Sequence, residues 1–492
     1  MDRDVLERRI GPRSFARLLG SWRPPGGRGL ASALTERVRL LVLDGRLPLD
    51  TQVPAERELA AALDVSRTTV AGAYDALRAA GFLHSRRGAG SWTRIPAGPA
   101  AGADSPSPFS PVTDDHLVDL ATAALPSPSD ALRRAAAAAL ADLDGHLGGH
   151  GYTLAGLPVL RAAVARRFTD RGLPTTPDQI LVTSGAQHAI GLLLALFTGP
   201  GDRVVVEHPT YPNALDAIRG RGCRPVPVPL GPDPERPWDL DQLTATIRDT
   251  APALAYLIPD FQNPTGALMD TATRAGVVEL ARRTRTPLIV DETLAELPLD
   301  VPGPVPVAAH GAEDGSLVMT VGSASKVFWG GLRIGWIRAS PSVVRRLAAL
   351  RPSIDLGGAV LDQLVAARLV GEVDAVADER REALRVRRDD LRAQLTAAFP
   401  EWHVPRPSGG LSLWVDLGAP VSSLLAGAAR RHDVLLAAGP RFGLDGAFER
   451  HLRLPYTVRP DRVPMAVERL AVAWRTLGSV PHSAEAERIA VA

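Results

Sequence analysis

The sequence of 492 residues is poor in several features, and each shortage excludes a class of protein. It contains one cysteine, Cys223, and can therefore form neither an intrachain disulfide nor a cysteine-rich zinc cluster. Its longest apolar run, 189–197, is far shorter than the roughly 20 residues that a membrane-spanning helix needs. The first residues also lack the apolar core of a secretory signal. We therefore expect a cytoplasmic protein with no membrane segment, and we assign no metal site.

Lysine is equally scarce, because Lys326 is the one lysine among 56 basic residues. A bias of the whole sequence toward arginine can explain this, since a surface cation works equally well as arginine. A residue that must lose its proton and attack a carbonyl cannot be arginine, whose guanidinium stays protonated. Lys326 is therefore a candidate for covalent chemistry, although the count alone leaves survival by chance open.

Charge and composition divide the chain into regions. The net charge is +2, but residues 1–95 carry 16 arginines and 10 acidic residues, which suggests a nucleic-acid partner at this end. Residues 96–111 contain five prolines and almost no large apolar side chain, as is typical of a linker. We expect an N-terminal extension over 1–29, to which the sequence assigns no role, and a DNA-binding domain over 30–95. A linker over 96–118, a large domain over 119–480 and a tail over 481–492 follow.

The first region has the pattern of a winged helix-turn-helix. Apolar residues at helical spacing precede Gly45, and a second helix is predicted over Pro54 to Leu63. Ser66 is a good N-cap for a third helix that runs from Arg67 to about Ala80. Two short strand-like stretches then flank the basic, glycine-rich segment 86–90, which predicts a β-hairpin. A small three-helix domain with exposed arginines is the alternative that this pattern leaves open.

The third helix would present polar residues at its start, where a recognition helix meets base edges and phosphates. The stretch 45–92 resembles the winged-helix domain of GntR-family transcription regulators. The matching motifs are Gly45-Arg46-Leu47, Pro54 to Ala60, Val65 to Val70, Leu77, Gly81 and Arg87 to Gly90. Ala55 stands where family members usually have serine, which removes one helix cap. The helix pattern and the resemblance together assign contacts with a double-stranded DNA operator to Arg57, Ser66, Arg67, Thr68, Thr69, Arg86 and Arg87.

The large region alternates buried-strand patterns with helical stretches, which favours an α/β core with a mostly parallel sheet. The predicted strands are Ile180–Thr183, Val204–Glu207, Ala253–Ile258, Leu288–Asp291, Leu317–Val321 and Ile334–Ile337. Functional residues of such folds gather at the strand ends.

Six features at strand ends or in loops can be given a chemical role. They offer a phosphate cradle, a flat ring, an amide, a buried carboxylate, an amine and a guanidinium. In chain order they are Ser184-Gly185-Ala186, Tyr211, Asn263, Asp291, Ser323 to Lys326, and Arg333. Each alone has a structural explanation as a turn, a core residue, a cap or a surface charge. Together they indicate a site for pyridoxal 5′-phosphate.

The order and spacing of these motifs resemble fold-type I aminotransferases across about residues 120–480. The resemblance implies that Lys326 bonds covalently to the cofactor aldehyde and that Asp291 keeps the pyridine nitrogen protonated. It implies that Asn263 donates to the ring phenolate oxygen and that Tyr211 stacks on the ring. Phosphate contacts are assigned to Ser184, Gly185, Ala186, Ser323 and Arg333.

Two further residues extend the resemblance, and one position departs from it. Tyr152 matches a tyrosine that reaches the phosphate of the neighbouring subunit, which implies a homodimer. Arg453 matches the arginine that binds a substrate α-carboxylate. Many relatives have a tyrosine two or three residues after the aspartate, where this chain has Thr293 and Leu294. Thr293 could donate a weaker substitute hydrogen bond to the phenolate oxygen, so the departure concerns tuning of the cofactor rather than its binding.

A GntR-like winged helix, a proline-rich linker and an aminotransferase-like domain, in this order, are the architecture of the MocR subfamily. The resemblance implies a regulator that senses pyridoxal phosphate, or an amino acid or amine condensed with it, and so changes how two winged helices meet an operator. A working aminotransferase with a DNA-binding domain is the alternative, since the catalytic set is nearly complete. A storage protein for the cofactor is a third hypothesis.

Overall fold

The computed structural model describes residues 8–20, 22–24, 29–43, 47, 51–86, 90–94, 116–231, 233, 236–311 and 317–478. The helices are α1 (Pro12–Leu19), α2 (Leu30–Leu43), α3 (Glu56–Leu63), α4 (Arg67–Ala79), α5 (Ser129–Asp142), α6 (Pro158–Asp170), α7 (Ala186–Phe197), α8 (Pro212–Gly220), α9 (Leu240–Thr250), α10 (Thr271–Thr284), α11 (Pro341–Leu350), α12 (Val360–Gly371), α13 (Val373–Ala398), α14 (Ser422–Arg430) and α15 (Val463–Gly478). The strands are β1 (Arg8–Arg9), β2 (Thr51–Val53), β3 (Leu83–Arg86), β4 (Gly90–Thr93), β5 (Val118–Leu120), β6 (Ile180–Thr183), β7 (Arg203–His208), β8 (Arg224–Pro229), β9 (Leu254–Leu257), β10 (Leu288–Asp291), β11 (Val318–Ser323), β12 (Gly335–Arg338), β13 (Ser412–Asp416), β14 (Val434–Ala438) and β15 (His451–Pro455).

The N-terminal domain is a winged helix built from α2, α3, α4 and the β3–β4 hairpin. Helix α4 begins after Ser66, whose Oγ accepts a hydrogen bond of 3.1 Å from the N–H of Thr69. Its inward residues, which include Val70 and Leu77, are fully buried, as their spacing predicts. Helix α3 begins at Glu56 rather than at Pro54, because the backbone at Ala55 is extended (ψ 144°) and supplies no side-chain cap.

The N-terminal extension packs into this same domain. Strand β1 pairs in parallel with β2 and so extends the wing sheet, whose order is β1-β2-β4-β3. The side chains of Phe15 and Leu19 on α1 are fully buried in the apolar cluster that α2, α3 and α4 form. Residues 8–19 therefore form one unit with the winged helix, and the boundary predicted at residue 29 does not separate two folded parts. Residues 1–7 lie outside the described residues.

The large domain is built on a seven-stranded sheet of order β6-β12-β11-β10-β9-β7-β8. Its strands are parallel except for β12, which is antiparallel to both of its neighbours, so the predicted mostly parallel sheet is confirmed. Strand β8 was not predicted, because its sequence, RPVPVP, contains three prolines. It lies at the edge of the sheet, where a missing N–H does not interrupt a ladder.

A second sheet of order β13-β15-β14-β5 packs with α14 and α15 in the C-terminal part. Strand β5 is the first described element after residue 94, and it pairs in parallel with β14. The predicted linker is therefore followed by a strand of this sheet. None of the described helices is long and apolar enough to cross a lipid bilayer.

Candidate cofactor site and DNA-binding surface

The turn between β6 and α7 forms an anion cradle. Gly185 has a φ of +91°, and a Cβ atom there would lie 2.7 Å from Nη2 of Arg333. The same Nη2 donates to the carbonyl oxygen of Ser184 at 2.9 Å. A Cβ on Gly335 would lie 2.6 Å from the carbonyl carbon of Gly185, so both glycines are required for this close approach. Ser323 lies opposite Gly335 on β11. The N-terminus of α7 and the Arg333 guanidinium thus lie beside the same turn, as suits phosphate binding.

A carboxylate and the single lysine of the chain lie at the ends of neighbouring strands. Asp291 ends β10 and is 5% exposed, and its burial raises the pKa of the carboxyl group. Lys326 follows β11, and its Nζ donates to the carbonyl oxygen of Ala123 at 2.9 Å. Burial, and after it the charge of Arg453, lowers the pKa of Lys326 to about 8, although Asp291 opposes the shift. An amine with this pKa is partly deprotonated near neutrality and can act as a nucleophile.

The turns that carry Tyr211 and Asn263 are tied together by a buried network. Glu207, at the end of β7, accepts hydrogen bonds from the indole of Trp238 (2.7 Å) and the amide of Gln262 (3.1 Å). The Gln262 amide also donates to the carbonyl oxygen of Pro209 at 2.8 Å. The peptide bonds before Pro209 and Pro264 are both cis. This network holds the ring of Tyr211 and the amide of Asn263 on the side of the sheet where Asp291 lies.

Arg453, on β15, closes the site from the second sheet. It is 9% exposed, its guanidinium lies 5.0 Å from the centre of the Phe442 ring, and its Nη1 is 3.4 Å from Oδ1 of Asn263. Burial lowers its pKa to about 10. Among the described residues no carboxylate lies within ion-pair distance of Arg453, although the charge of Asp119 partly opposes the fall of its pKa, and its buried Nε has no hydrogen-bond partner. Because a buried cation without a counter-ion is costly, this guanidinium is suited to an anionic ligand.

Residues 121–126 follow β5 and lead toward α5, and their backbone passes beside Lys326 and Arg453. This segment is here called the strap. Successive carbonyl oxygens of the strap accept hydrogen bonds from residues of the site. Ala121 accepts from Arg453, Thr122 from the hydroxyl of Thr457 (3.3 Å), and Ala123 from Lys326. The carboxylate of Asp119 accepts from the N–H groups of Ala121 and Thr122, which stiffens the start of the strap. Every residue supplies a backbone carbonyl, so these hydrogen bonds could not be predicted from the residue types of the strap.

The structure thus brings together most of the predicted cofactor residues and leaves one apart. Thr293 donates its backbone N–H to Oδ1 of Asp291 at 3.0 Å, while its role toward a phenolate oxygen stays a prediction. Tyr152 is 62% exposed, and its ring is tilted by 30° against that of His150 at a centroid distance of 5.4 Å. In the described part of the chain no hydrogen bond joins it to Lys326 or to the anion cradle, and its role toward a neighbouring subunit stays a prediction.

Tyr256 is a site residue that sequence reasoning missed. It lies on β9, is 1% exposed, and its hydroxyl donates to Oδ2 of Asp291 at 2.7 Å. The available signal was a hydroxyl group within an otherwise apolar strand, since a buried tyrosine hydroxyl needs a partner.

Four of the predicted DNA-binding residues, Ser66 to Thr69, lie at the start of α4 and are exposed or half-buried, whereas Arg57 lies on α3. The side chain of Arg67 is 72% exposed, and its Nε lies 3.6 Å from Oε2 of Glu56. Arg57 and Thr68 are also exposed. The hydroxyl of Ser66 is hydrogen-bonded to those of Thr68 and Thr69 at 2.7 and 2.8 Å, so that its observed role is to cap α4. Arg86 ends β3, and Arg87 lies outside the described residues.

Comparison with known proteins identifies both domains. The family model "Aminotransferase class I and II" matches residues 115–470. The chain belongs to this family. The model "Bacterial regulatory proteins, gntR family" matches residues 30–92, so the N-terminal domain is a GntR-type winged helix. The chain therefore combines a GntR domain with an aminotransferase-like domain, as the MocR subfamily of transcriptional regulators does, and the cofactor of such a domain is pyridoxal 5′-phosphate.

Relatives of two kinds support this identification. The chain is 28% identical over 448 residues to the uncharacterized HTH-type transcriptional regulator YdcR of Escherichia coli, which covers 85% of this chain and 93% of that protein. It is 29% identical to the probable rhizopine catabolism regulatory protein MocR of Rhizobium meliloti, over 63% of this chain and 65% of that protein. It is also 30% identical to a 2-aminoadipate transaminase of Thermus thermophilus, over 64% of this chain and 80% of the relative.

A solved structure gives the same result for the large domain. The α-aminoadipate aminotransferase LysN of Thermus thermophilus, complexed with N-(5′-phosphopyridoxyl)-L-leucine, superposes with a TM-score of 0.68 at 27% identity. The match covers 75% of this chain and 94% of LysN. The residues of the present site fit the cofactor, because they supply a tight glycine-lined cradle beside Arg333, a buried carboxylate and an amine whose lowered pKa reflects its surroundings.

Proposed function

We propose that this protein is a DNA-binding transcription regulator whose aminotransferase-like domain holds pyridoxal phosphate and senses an amino acid or amine through it. The observation that carries the proposal is that Lys326 and Arg453 are hydrogen-bonded to the strap, which leads through β5 to the linker of the DNA-binding domain.

The residues of the site divide the work of binding the cofactor. The cradle at Ser184, Gly185 and Ala186, with Ser323 and Arg333, would hold the phosphate group. Asp291 would pair with the ring nitrogen, Asn263 would donate to the phenolate oxygen, and Tyr211 would cover a ring face. When bound, the cofactor supplies an aldehyde that captures amines and an aromatic ring that withdraws electrons. Lys326 supplies the attacking amine.

Ligand binding would compete with the hydrogen bonds of the strap. If the nitrogen of Lys326 were bonded to the cofactor aldehyde, it would no longer donate to the carbonyl oxygen of Ala123 as the free amine does. A carboxylate that takes the guanidinium of Arg453 removes the hydrogen bond to Ala121. Because β5 begins at Val118, both changes occur within six residues of the strand that joins the linker. A ligand that binds more tightly to the protein with the rearranged strap would shift the equilibrium toward that conformation. The relative position of the two DNA-binding domains would change with it.

We further propose a homodimer that acts in the cytoplasm on an operator with two half-sites. Tyr152 lies in a surface that exposes other large apolar side chains, among them Leu147 at 66% and Leu356 at 41%. These segments are neighbours, since a Cβ atom on Gly357 would lie 2.7 Å from the carbonyl oxygen of Thr153. Exposed apolar area of this kind marks an interaction site. A second subunit would cover it and receive Tyr152 at its phosphate cradle.

The test uses DNA fragments that the full-length protein selects from a randomised pool. Replacing both Arg67 and Thr69 by alanine should weaken specific binding by about tenfold or more, because each lost base contact costs about 1–3 kcal/mol. The cofactor absorbance should stay unchanged. Arg39→Ala, which removes an arginine paired with Glu36 on α2, is the matched control. Unchanged specific binding in the double variant would refute the assigned recognition helix.

The effector is then sought by titrating the protein–DNA complex with amino acids and amines. One compound should change both the absorbance and the DNA affinity of the wild type, and neither in Lys326→Ala. Turnover of an amino acid and a 2-oxo acid over many cycles would instead favour the second candidate function, an aminotransferase. One observation favours that candidate. Nη1 of Arg453 lies 3.4 Å from Oδ1 of Asn263, so the arginine assigned to a substrate carboxylate lies close to a residue assigned to the cofactor.

A further inference from the structure

The carboxylate of Asp291 is held by two elements of the fold. From its own turn, the N–H of Thr293 donates to Oδ1 at 3.0 Å. From the neighbouring strand β9, the hydroxyl of Tyr256 donates to Oδ2 at 2.7 Å. Tyr256 lies beside Ile289 in the register of β9 and β10, and the packing of the sheet fixes its ring. The two donors together determine the plane of the carboxylate.

These donors oppose the effect of burial. Burial raises the pKa of Asp291 and so favours its neutral form. The hydrogen bonds from Tyr256 and Thr293, and then the charge of Lys326, lower it. The other titratable groups near Asp291 are Tyr211 and Glu207, which are acids and supply no positive charge. A neutral aspartic acid could not form an ion pair with a protonated ring nitrogen.

We propose that Tyr256 is a positioning residue that keeps Asp291 ionised and aimed at the ring nitrogen of the cofactor, and so keeps that nitrogen protonated. The inference rests on the proposed cofactor-binding role of the site. It gives this chain a device that tunes the cofactor at its ring nitrogen, whereas the phenol that many relatives place near the phenolate oxygen is replaced here by Thr293 and Leu294. Without the Tyr256 hydrogen bond, the carboxylate becomes a stronger base and takes the shared proton from the ring.

The test is nitrogen NMR of the full-length protein loaded with cofactor that carries ¹⁵N in the ring. In the wild type the resonance should have the chemical shift of a protonated ring nitrogen at neutral pH. In Tyr256→Phe, which removes one oxygen atom and no other group, it should move toward the shift of a neutral pyridine. Cofactor affinity should fall by about tenfold or more, because a hydrogen bond to a charged group is lost.

Tyr456→Phe is the matched control. Tyr456 is fully buried in the same domain, and its hydroxyl donates to the carbonyl oxygen of Gly409 at 3.0 Å. Its loss should leave the ring-nitrogen shift unchanged. A merely structural role of Tyr256 would lower the melting temperature of both variants and move the shift of neither, which would overturn the inference.

Two outcomes separate this inference from the proposed function. A wild type that binds cofactor with a neutral ring nitrogen would overturn the role of Tyr256 without the use of any variant, and it would leave the cofactor site intact. A wild type that shows no visible cofactor band would overturn both proposals. An effect in Tyr256→Phe equal to that in Tyr456→Phe would overturn the tyrosine inference alone.

Discussion

The two functional regions of this chain solve opposite electrostatic problems. At the start of α4, Arg67 is 72% exposed and its cation is hydrated. In the large domain Lys326 is half-buried and Arg453 is buried, and desolvation is the chief cause that lowers the pKa of each. A DNA phosphate meets a surface charge that is already stable in water. A ligand of the large domain meets charges that the fold holds at a cost, and its binding recovers part of that cost.

This difference predicts how each region responds to change. The described DNA-binding residues lie on or beside α3, α4 and β3 of one small domain, so a substitution there should act locally. The cofactor site is assembled from the ends of β6, β7, β9, β10 and β11 and from β15, so a change in one charge should be felt by the others.

The largest effect is expected for Lys326→Ala. No other lysine exists in the sequence, so the covalently bound cofactor and its visible absorption band should be lost completely. Treatment of the wild type with borohydride should fix the cofactor on one peptide, the one that contains Lys326, as mass spectrometry can show. Without effector, the variant should bind DNA as the wild type does, since the winged helix does not depend on the amine. A retained covalent adduct would contradict the assignment.

The second effect concerns the N-terminal extension. Phe15→Ala should destabilise the winged helix by about 3–5 kcal/mol, because the removed ring is fully buried in its core. Hydrogen exchange of the full-length protein should show faster exchange throughout α2, α3 and α4, with the large domain unchanged. Ser14→Ala, at an exposed neighbouring position, should have almost no effect. Equal exchange in the two variants would show that the extension does not support the domain.

The fate of Phe15 shows what a sequence motif can and cannot predict. The helices and the wing were predicted closely, because caps, apolar spacing and glycine turns are local signals. Phe15 lies outside the residues that the GntR model matches, and nothing local indicates what its ring packs against. The same limit applies to the site. Lys326 and Asp291 were found through motifs, whereas the contacts of Tyr256 and the strap carbonyls arise only when distant strands meet.

The third effect is a pH dependence with opposite shifts in two variants. Only the deprotonated amine attacks an aldehyde, so the rate of cofactor capture should rise about tenfold per pH unit below the pKa of Lys326 and level off above about 8. Arg453→Gln removes a neighbouring cation and should raise the midpoint. Asp291→Asn removes the anion that opposes the shift and should lower the midpoint. Stopped-flow absorbance gives both midpoints, and shifts in the same direction would refute the electrostatic coupling.

The smallest effect should follow the loss of one helix cap. Ser66→Ala removes the oxygen that accepts from the N–H of Thr69 and should destabilise the winged helix by about 1 kcal/mol. Specific DNA binding should weaken as well, because the hydroxyl of Ser66 also holds those of Thr68 and Thr69. Ser66→Asn restores a capping oxygen and should recover most of the stability. Because this cap acts only within the winged helix, the pH midpoint for cofactor capture should be the same in both Ser66 variants. A change in that midpoint would mean that the two regions are coupled even without ligand, and the contrast between a local surface and a coupled site would then fail.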